Sequence, residues 1–351
     1  MRCEIYDCLE GDLFEQIKKL PIVEQVPFTA YQTRGFEAGI LLGNFKNAEE
    51  LLFQTCINFF FRINGSIPLF DYTCDKTNWF MDQGIFYRQI YPIDRKYHSR
   101  EDILSLILHW LNQDVYVYGF FNEKYIPHKN AFGRYDFKHA YLIYGYDQTE
   151  QNFFAMGYTD RQKFEKYLVS YEDFFNGIEH VDEQHFFPKY LDRACSCTFD
   201  LYQTYWELQD YLRSEYTVHR SHGKHPDDIY GISANRAFQR YVYAIDRHGN
   251  YLDPRLSRLF FENKAFMVKR LGYMAQKGYI SNYQEEYSLL AEKSQKIHLL
   301  FLKYNLKRDG DILQSIDQIF TEVNDREEKI LNRVFDELTD HFKRKREGMY
   351  L

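Results

Sequence analysis

The chain has 351 residues, a formal net charge of −7, and 45% hydrophobic and 27% charged residues. This balance is typical of a folded, soluble protein, and it lacks the positive charge by which nucleic-acid-binding proteins hold phosphates. The sequence contains neither an apolar run of about 18 residues nor an N-terminal secretion signal, so we expect no membrane association and no export.

Cysteine usage indicates a reducing compartment. Six cysteines occur, at positions 3, 8, 56, 74, 195 and 197. Cys195 and Cys197 form a close pair, but no second pair follows at the spacing of a zinc site. We therefore expect a cytoplasmic protein with unlinked thiols, no metal ion and no cofactor.

The N-terminal part of the chain alternates helical spacing with extended aromatic stretches. The pattern predicts helices over 7–20, 36–43, 48–61 and 103–112, and strands over 85–92 and 115–119. Pro21 ends the first helix, and Thr33 is placed to cap the second. Ser99 and Asp102 have the spacing of a capping box before the fourth helix.

A β-hairpin is predicted next, with a histidine at its open end. Residues 138–147 and 152–158 are aromatic and β-branched, and turn residues separate them. A third strand over 164–169 and a short helix over 174–178 follow, giving an antiparallel α+β arrangement. His139, near the start of the first strand, is either a site residue or a strand histidine bonded to a backbone carbonyl.

The character of the sequence changes after residue 192. Apolar residues recur at helical spacing over 200–216, 229–246, 255–276, 282–304 and 311–345, and no strand is predicted. The sequence therefore predicts two domains, an α+β domain over 1–192 and an all-helical domain over 193–351. The basic run near residue 343 follows a helix, where it is most simply a solvated terminus.

Four stretches of the first domain resemble one family. They are Ser105-Leu-Ile-Leu-His-Trp-Leu-Asn-Gln-Asp-Val-Tyr-Val-Tyr-Gly, Tyr125-Ile-Pro, Phe137-Lys-His139-Ala-Tyr-Leu-Ile-Tyr-Gly-Tyr-Asp and Val169-Ser-Tyr-Glu-Asp-Phe. As an ordered set they resemble the papain-like proteins related to the butirosin-biosynthesis H acyltransferase, a group similar in fold to C39-type cysteine peptidases. Members of that group tend to accompany nonribosomal peptide assembly lines.

The resemblance implies acyl transfer from a carrier-protein thioester to an amine. In such a fold a cysteine at a helix N-terminus, a histidine base and an orienting Asp or Asn follow one another along the chain. His139 matches the base position. Gly157 stands where the orienting carboxylate is expected, so Asp160, or less simply Asp147 in the hairpin turn, is the candidate for that role.

The nucleophile is harder to assign. No cysteine occurs near residues 31–35, where the resemblance expects it. Cys8, at the start of a predicted helix whose dipole lowers a thiol pKa, is the leading candidate. Cys56 reads as a mid-helix core residue and Cys74 as a loop residue. Thr33 is a weaker nucleophile whose simpler role is capping.

Three functions remain open on the sequence. The first is an acyltransferase that uses a phosphopantetheine-bound acyl or peptidyl group on a carrier protein and a small amine or peptide acceptor. The second is a non-catalytic, papain-like accessory protein that binds the carrier or peptide, and the third, least favoured, is a peptidase. An aromatic groove for substrate is expected from Trp79, Tyr125, Tyr135 and Tyr141, with Thr33 beside it. The helical domain would serve as a lid or a docking surface.

Overall fold

The computed structural model describes residues 15–64, 67–73, 86–88, 91–92, 98–181, 185–194, 197–217, 225–245 and 251–347. Its elements in chain order are β1 (Ile17–Lys19), α1 (Gln32–Asn44), α2 (Ala48–Phe53), β2 (Phe59–Asn64), β3 (Ile67–Tyr72), β4 (Phe86–Arg88), β5 (Tyr91–Pro92), α3 (Arg100–Asn112), β6 (Tyr116–Asn122), β7 (Lys138–Asp147), β8 (Asn152–Tyr158), β9 (Phe164–Ser170), α4 (Tyr171–Glu179), β10 (His185–Leu191), α5 (Leu201–Arg213), β11 (Ile229–Tyr230), α6 (Gly231–Ile245), α7 (Pro254–Gln276), α8 (Gln284–Lys307) and α9 (Gly310–Glu347). A 3₁₀ turn, Glu123–Tyr125, follows β6. The protein is α+β, with antiparallel sheets and a helical C-terminal region.

The elements form two compact units that are not consecutive along the chain. The first unit contains the described residues of 1–26, 32–46 and 77–196, and the second contains those of 27–31, 47–76 and 197–351. Residues 47–73, which the sequence placed in the first domain, therefore belong with the C-terminal helices.

The first unit is built on one antiparallel sheet. Its strands lie in the order β4-β10-β6-β7-β8-β9, and β1 and β5 pair with β7 and β10. The helices α1, α3 and α4 pack against these strands. A buried pair between Glu37 of α1 and Lys189 of β10, 2.5 Å apart, ties α1 to the sheet. The central strands β6 and β7 are buried at nearly every position, so both of their faces are covered and their sequences are apolar along most of their length.

The predicted hairpin is confirmed. β7 and β8 pair from Asp147–Asn152 to Leu142–Met156, with a register irregularity between Ile143 and Gly145. The helix start predicted at Ser99 is confirmed as well. The Ser99 hydroxyl accepts a hydrogen bond from the Asp102 N–H and the Asp102 carboxylate accepts one from the Ser99 N–H, and Ser170 caps α4 through Asp173.

Two predicted helices were wrong where the structure describes them. Residues 17–19 of the predicted first helix form β1, which pairs with residues 145–147 of β7. The predicted helix over 48–61 ends at Phe53, and Cys56 takes a left-handed φ of 56° before β2 begins. A run of consecutive phenylalanines then favours a strand, because aromatic residues pack well on a pleated sheet.

The second unit is not all-helical. β2 pairs with β3 and with the two-residue strand β11, which joins positions more than 150 residues apart in sequence. Phe238 of α6 stacks on Phe70 of β3 at 4.9 Å and meets Phe320 of α9 at 5.3 Å. The small sheet is therefore part of the core that the helices enclose.

A buried ion pair lies among the helices of the second unit. Lys264 Nζ is 2.8 Å from Glu327 Oε2, and both side chains are fully buried. The hydroxyls of Tyr211 and Tyr287 donate to the two oxygens of the same carboxylate. These bonds compensate a charge pair that would otherwise be costly to bury. Among the described helices, none is long and apolar enough to cross a membrane.

Candidate functional site

His139 is paired with a buried carboxylate. His139 Nδ1 lies 2.7 Å from Glu123 Oε1, with the Glu123 side chain 6% exposed and that of His139 32% exposed. Since a carboxylate only accepts hydrogen bonds, the Nδ1 nitrogen carries the proton. The lone pair of a neutral His139 then sits on Nε2, which has no hydrogen-bond partner among the described residues. This is the arrangement of a general base held in one tautomer.

The strand pairing and one asparagine position the two side chains. His139 faces Phe121 across the β6–β7 ladder, and Glu123 follows two residues later, where β6 ends. The Asn122 amide oxygen accepts from the N–H groups of Lys124 and Phe137, at 3.1 and 3.0 Å. Asn122 thereby fixes the turn that carries Glu123 to the strand that carries His139.

A buried lysine completes the charged cluster. Lys129 Nζ lies 3.9 Å from Glu123 Oε1 and donates to the Tyr158 carbonyl oxygen at 2.6 Å, and its side chain is 1% exposed. It also lies 4.1 Å from the centre of the Tyr167 ring. Burial lowers the pKa of Lys129 to about 8, against the opposing attraction of Glu123.

Gln32, the first residue of α1, is inserted where β7 and β8 separate. In their register Ala140 would pair with Tyr158, but the Gln32 carboxamide bridges them instead. Its Nε2 donates to the Ala140 oxygen at 2.7 Å, and its Oε1 accepts from the Tyr158 N–H at 3.3 Å. The side chain substitutes for a ladder hydrogen bond and holds the hairpin open beside His139.

Gly157 provides the space for this insertion. A Cβ atom there would lie 3.0 Å from Gln32 Oε1 and 3.3 Å from Lys129 Nζ. A larger residue would therefore displace both side chains. An orienting carboxylate was expected from the sequence at position 157. The side chains of Gln32 and Lys129 occupy the space beside Gly157 instead.

The carboxylate in contact with His139 belongs to Glu123, whereas Asp160 was expected from the sequence. The Asp160 side chain is exposed, and its backbone N–H donates to the His128 oxygen at 2.7 Å. Asp147 lies at the far end of β7, where its carboxylate accepts from the Glu150 N–H in the hairpin turn. The Asp147 carboxylate therefore holds the hairpin turn, and Asp160 joins the His128 segment through its backbone.

The structure describes no thiol at this site. Thr33 is the second residue of α1, so it lies within the first helical turn and is not the capping residue. Cys56 and Cys197 are buried residues of the second unit. The candidates Cys8 and Cys74, together with Trp79, lie outside the described residues.

The aromatic residues expected to form a groove have different surroundings. Tyr141 is fully buried, stacked on Phe121 at 4.9 Å, and burial raises the pKa of its hydroxyl well above the ordinary value. It is a core residue and lines no groove. Tyr125 is half-buried and stacks on His180 at 4.0 Å rather than on His139.

An exposed aromatic surface does lie beside His139. The Phe137 ring is 5.0 Å from the imidazole, and the Tyr135 ring is 6.4 Å from Phe137. Tyr135 and Phe137 are 48% and 43% exposed. Tyr135 was expected at the site from the sequence and Phe137 was not, although Phe137 lies two residues before His139 on an extended segment and therefore on the same face.

Glu123, Lys129 and Gln32 were also missed. Gln32 comes from α1, and Glu123 and Lys129 come from the connection between β6 and β7, so no local motif joins the three to His139. Among the described residues, no group of three or more His, Cys, Asp or Glu side chains could hold a metal ion. No protein-family model matches the chain, and no curated protein matches it either.

Proposed function

We propose that the first unit is a papain-like domain that transfers an acyl or peptidyl group from a carrier-protein thioester to an amine, with His139 as general base. The observation that supports this most directly is the 2.7 Å contact between His139 Nδ1 and the buried Glu123 carboxylate. It leaves Nε2 as the basic atom at a partly exposed position beside an aromatic surface.

The reaction does not require a protein nucleophile, because a thioester is already activated. The amine nitrogen attacks the thioester carbonyl, His139 Nε2 takes the proton that the nitrogen loses, and the C–S bond breaks as the tetrahedral intermediate collapses. The imidazolium then returns the proton to the leaving thiolate. A positioned base of this kind contributes roughly 10²- to 10⁴-fold to the rate, and the binding surface contributes the positioning.

The exposed aromatic side chains suit the acyl partner. Tyr135 and Phe137 extend from the imidazole as a partly exposed apolar surface, on which an acyl or peptidyl chain attached through phosphopantetheine would pack. The acceptor would be a small amine or a peptide N-terminus. The net charge of −7 favours such a protein partner over a nucleic acid.

Gln32 favours a second candidate function, a non-catalytic accessory protein that binds the carrier or its peptide. It occupies the first position of α1 and uses both ends of its carboxamide on the backbone of β7 and β8. A side chain whose amide and oxygen both bind the backbone in this way performs no covalent catalysis. The same aromatic surface would then hold the acyl chain without turnover.

The test incubates the full chain with an acyl thioester on a carrier protein and a primary amine, and follows both the amide product and the intact mass of the protein. We expect an amide product and an unmodified chain. An acyl adduct on Cys8 would replace direct aminolysis by a covalent route. Carrier binding without amide formation would support the accessory function.

A further inference from the structure

Lys129 has no role in the proposed reaction so far, yet it is the most deeply buried charge of the site. Its Nζ lies against Glu123 Oε1 on one side and donates to the Tyr158 oxygen on the other. A buried ammonium group is costly unless hydrogen bonds and an opposite charge compensate it. Two such partners are present, and one of them is the carboxylate that orients His139.

The charge of Lys129 bears on the protonation of His139. A carboxylate next to an imidazole favours the imidazolium form, and an imidazolium cannot accept a proton from an amine. A cation on the same carboxylate oxygen offsets that attraction. The orienting hydrogen bond is retained, while the electrostatic pull toward the protonated imidazole is reduced.

We propose that Lys129 is a positioning residue of the His139 site, which neutralises Glu123 so that the imidazole is oriented by a carboxylate yet remains unprotonated and able to act as a base. This inference rests on the proposed function for its catalytic meaning, although the electrostatic coupling exists without turnover. Lys129 also ties the separated end of β8 to the 3₁₀ turn, through the Tyr158 carbonyl.

The groups that face Lys129 support this assignment. Glu123 is the anion within 4 Å, and His139 is reached through it. The Tyr167 hydroxyl is fully buried, and its pKa is raised well above the ordinary value by desolvation and by Glu123, so it stays neutral. The rings of Tyr167 and Phe121 shield the ammonium from water.

The first experiment is a pH titration of the His139 imidazole by ¹⁵N-resolved NMR in the full chain, with the resonance assigned by His139→Gln. Lys129→Met removes the charge and is expected to raise the titration midpoint. Lys129→Arg keeps the charge and is expected to preserve the wild-type midpoint. Lys124→Met is the matched control, since Lys124 pairs with the exposed Asp136 and is itself 34% exposed.

If Lys129→Met fails to fold because Glu123 is left unpaired, a second pair of variants is used. Glu123→Gln/Lys129→Met is compared with Glu123→Gln, which isolates the effect of the ammonium on His139. The midpoint is again expected to be higher without the lysine. An unchanged midpoint in the folded comparison overturns the proposal.

The titration separates this inference from the proposed function. If the chain forms no amide while the midpoint still moves, the reaction is refuted and the coupling stands. If amide forms, Lys129→Met should shift the acidic limb of the pH–rate profile upward by the same amount, with the rate recovering at higher pH. A rate lowered equally at every pH would assign Lys129 a merely structural role.

Discussion

At the scale of single residues, the place of His139 near the open end of the hairpin was predictable, and its contacts were not. A histidine at the open end of a hairpin is visible in the sequence. Its partner Glu123 is 16 positions away, and the two meet only because β6 and β7 pair with Phe121 opposite His139. A strand register one residue different would have turned Glu123 to the other face.

Gly157→Ala tests how tightly the site is packed. The added Cβ would lie within 3.0–3.3 Å of Gln32 Oε1 and Lys129 Nζ, so we expect a loss of about 1–3 kcal/mol in the free energy of unfolding. Denaturant unfolding measures it. Gly133→Ala is the control, because a Cβ there meets nothing within 4 Å and both glycines have a positive φ, 67° at Gly133 and 157° at Gly157, so that both variants carry backbone strain and only Gly157→Ala adds close contacts. Equal losses in the two variants would contradict the packing argument.

Lys129 predicts a pH dependence of stability. Its pKa is about 8 in the folded chain and 10.5 when unperturbed. Between these values the unfolded chain holds a proton that the folded chain has released, so the free energy of unfolding rises with pH. The wild type should gain up to about 3 kcal/mol relative to Lys129→Met from pH 8 to 10.5. Denaturant unfolding at several pH values tests this, and a difference that is flat or falling would refute it.

At the scale of secondary-structure elements, the sequence predicted correctly those elements whose stabilising contacts lie within a few residues. The hairpin and the two capped helices were predicted correctly, because turn residues and capping side chains act within a few positions. Residues 17–19 and 59–61 were predicted as helix, yet both form strands. Residues 17–19 pair with a strand far along the chain, and an aromatic run favours the strand over 59–61. Apolar spacing alone does not distinguish such short segments.

Gln32→Leu tests the open end of the hairpin. Removing the carboxamide leaves the Ala140 oxygen and the Tyr158 N–H without their bridge, at a cost of about 1–3 kcal/mol. We expect faster hydrogen exchange at the Tyr158 amide.

Asn44→Leu is the matched control at the other end of α1, where the amide donates to the Pro21 and Ile40 oxygens. It should lower stability and leave the Tyr158 amide protected. Unchanged exchange at Tyr158 in Gln32→Leu would show that the bridge does not hold the strand.

At the scale of the whole molecule, the two compact units do not follow the order of the chain. A change of composition near residue 192 suggested one boundary, but residues 47–73 belong to the unit formed by the C-terminal helices. β2 pairs with β11, which lies more than 150 residues further along the chain. Pairing over such distances leaves no local trace in composition.

A fragment of residues 1–192 should therefore not be a stable domain. It would contain Phe61 and Phe70 without Phe238, on which both pack. We expect poor solubility and binding of a hydrophobic dye, in contrast to the full chain. A soluble fragment with one cooperative thermal transition would contradict the division into units.

The measurement that tests the account most directly is the rate of amide formation from an acyl thioester and an amine at neutral pH. Wild type is compared with His139→Gln and Glu123→Gln, with folding verified by circular dichroism. We predict a loss of roughly 10²- to 10⁴-fold for His139→Gln and a smaller loss for Glu123→Gln, which keeps a hydrogen-bonding side chain beside Nδ1. Equal rates for wild type and His139→Gln would contradict the assignment of His139 as the base.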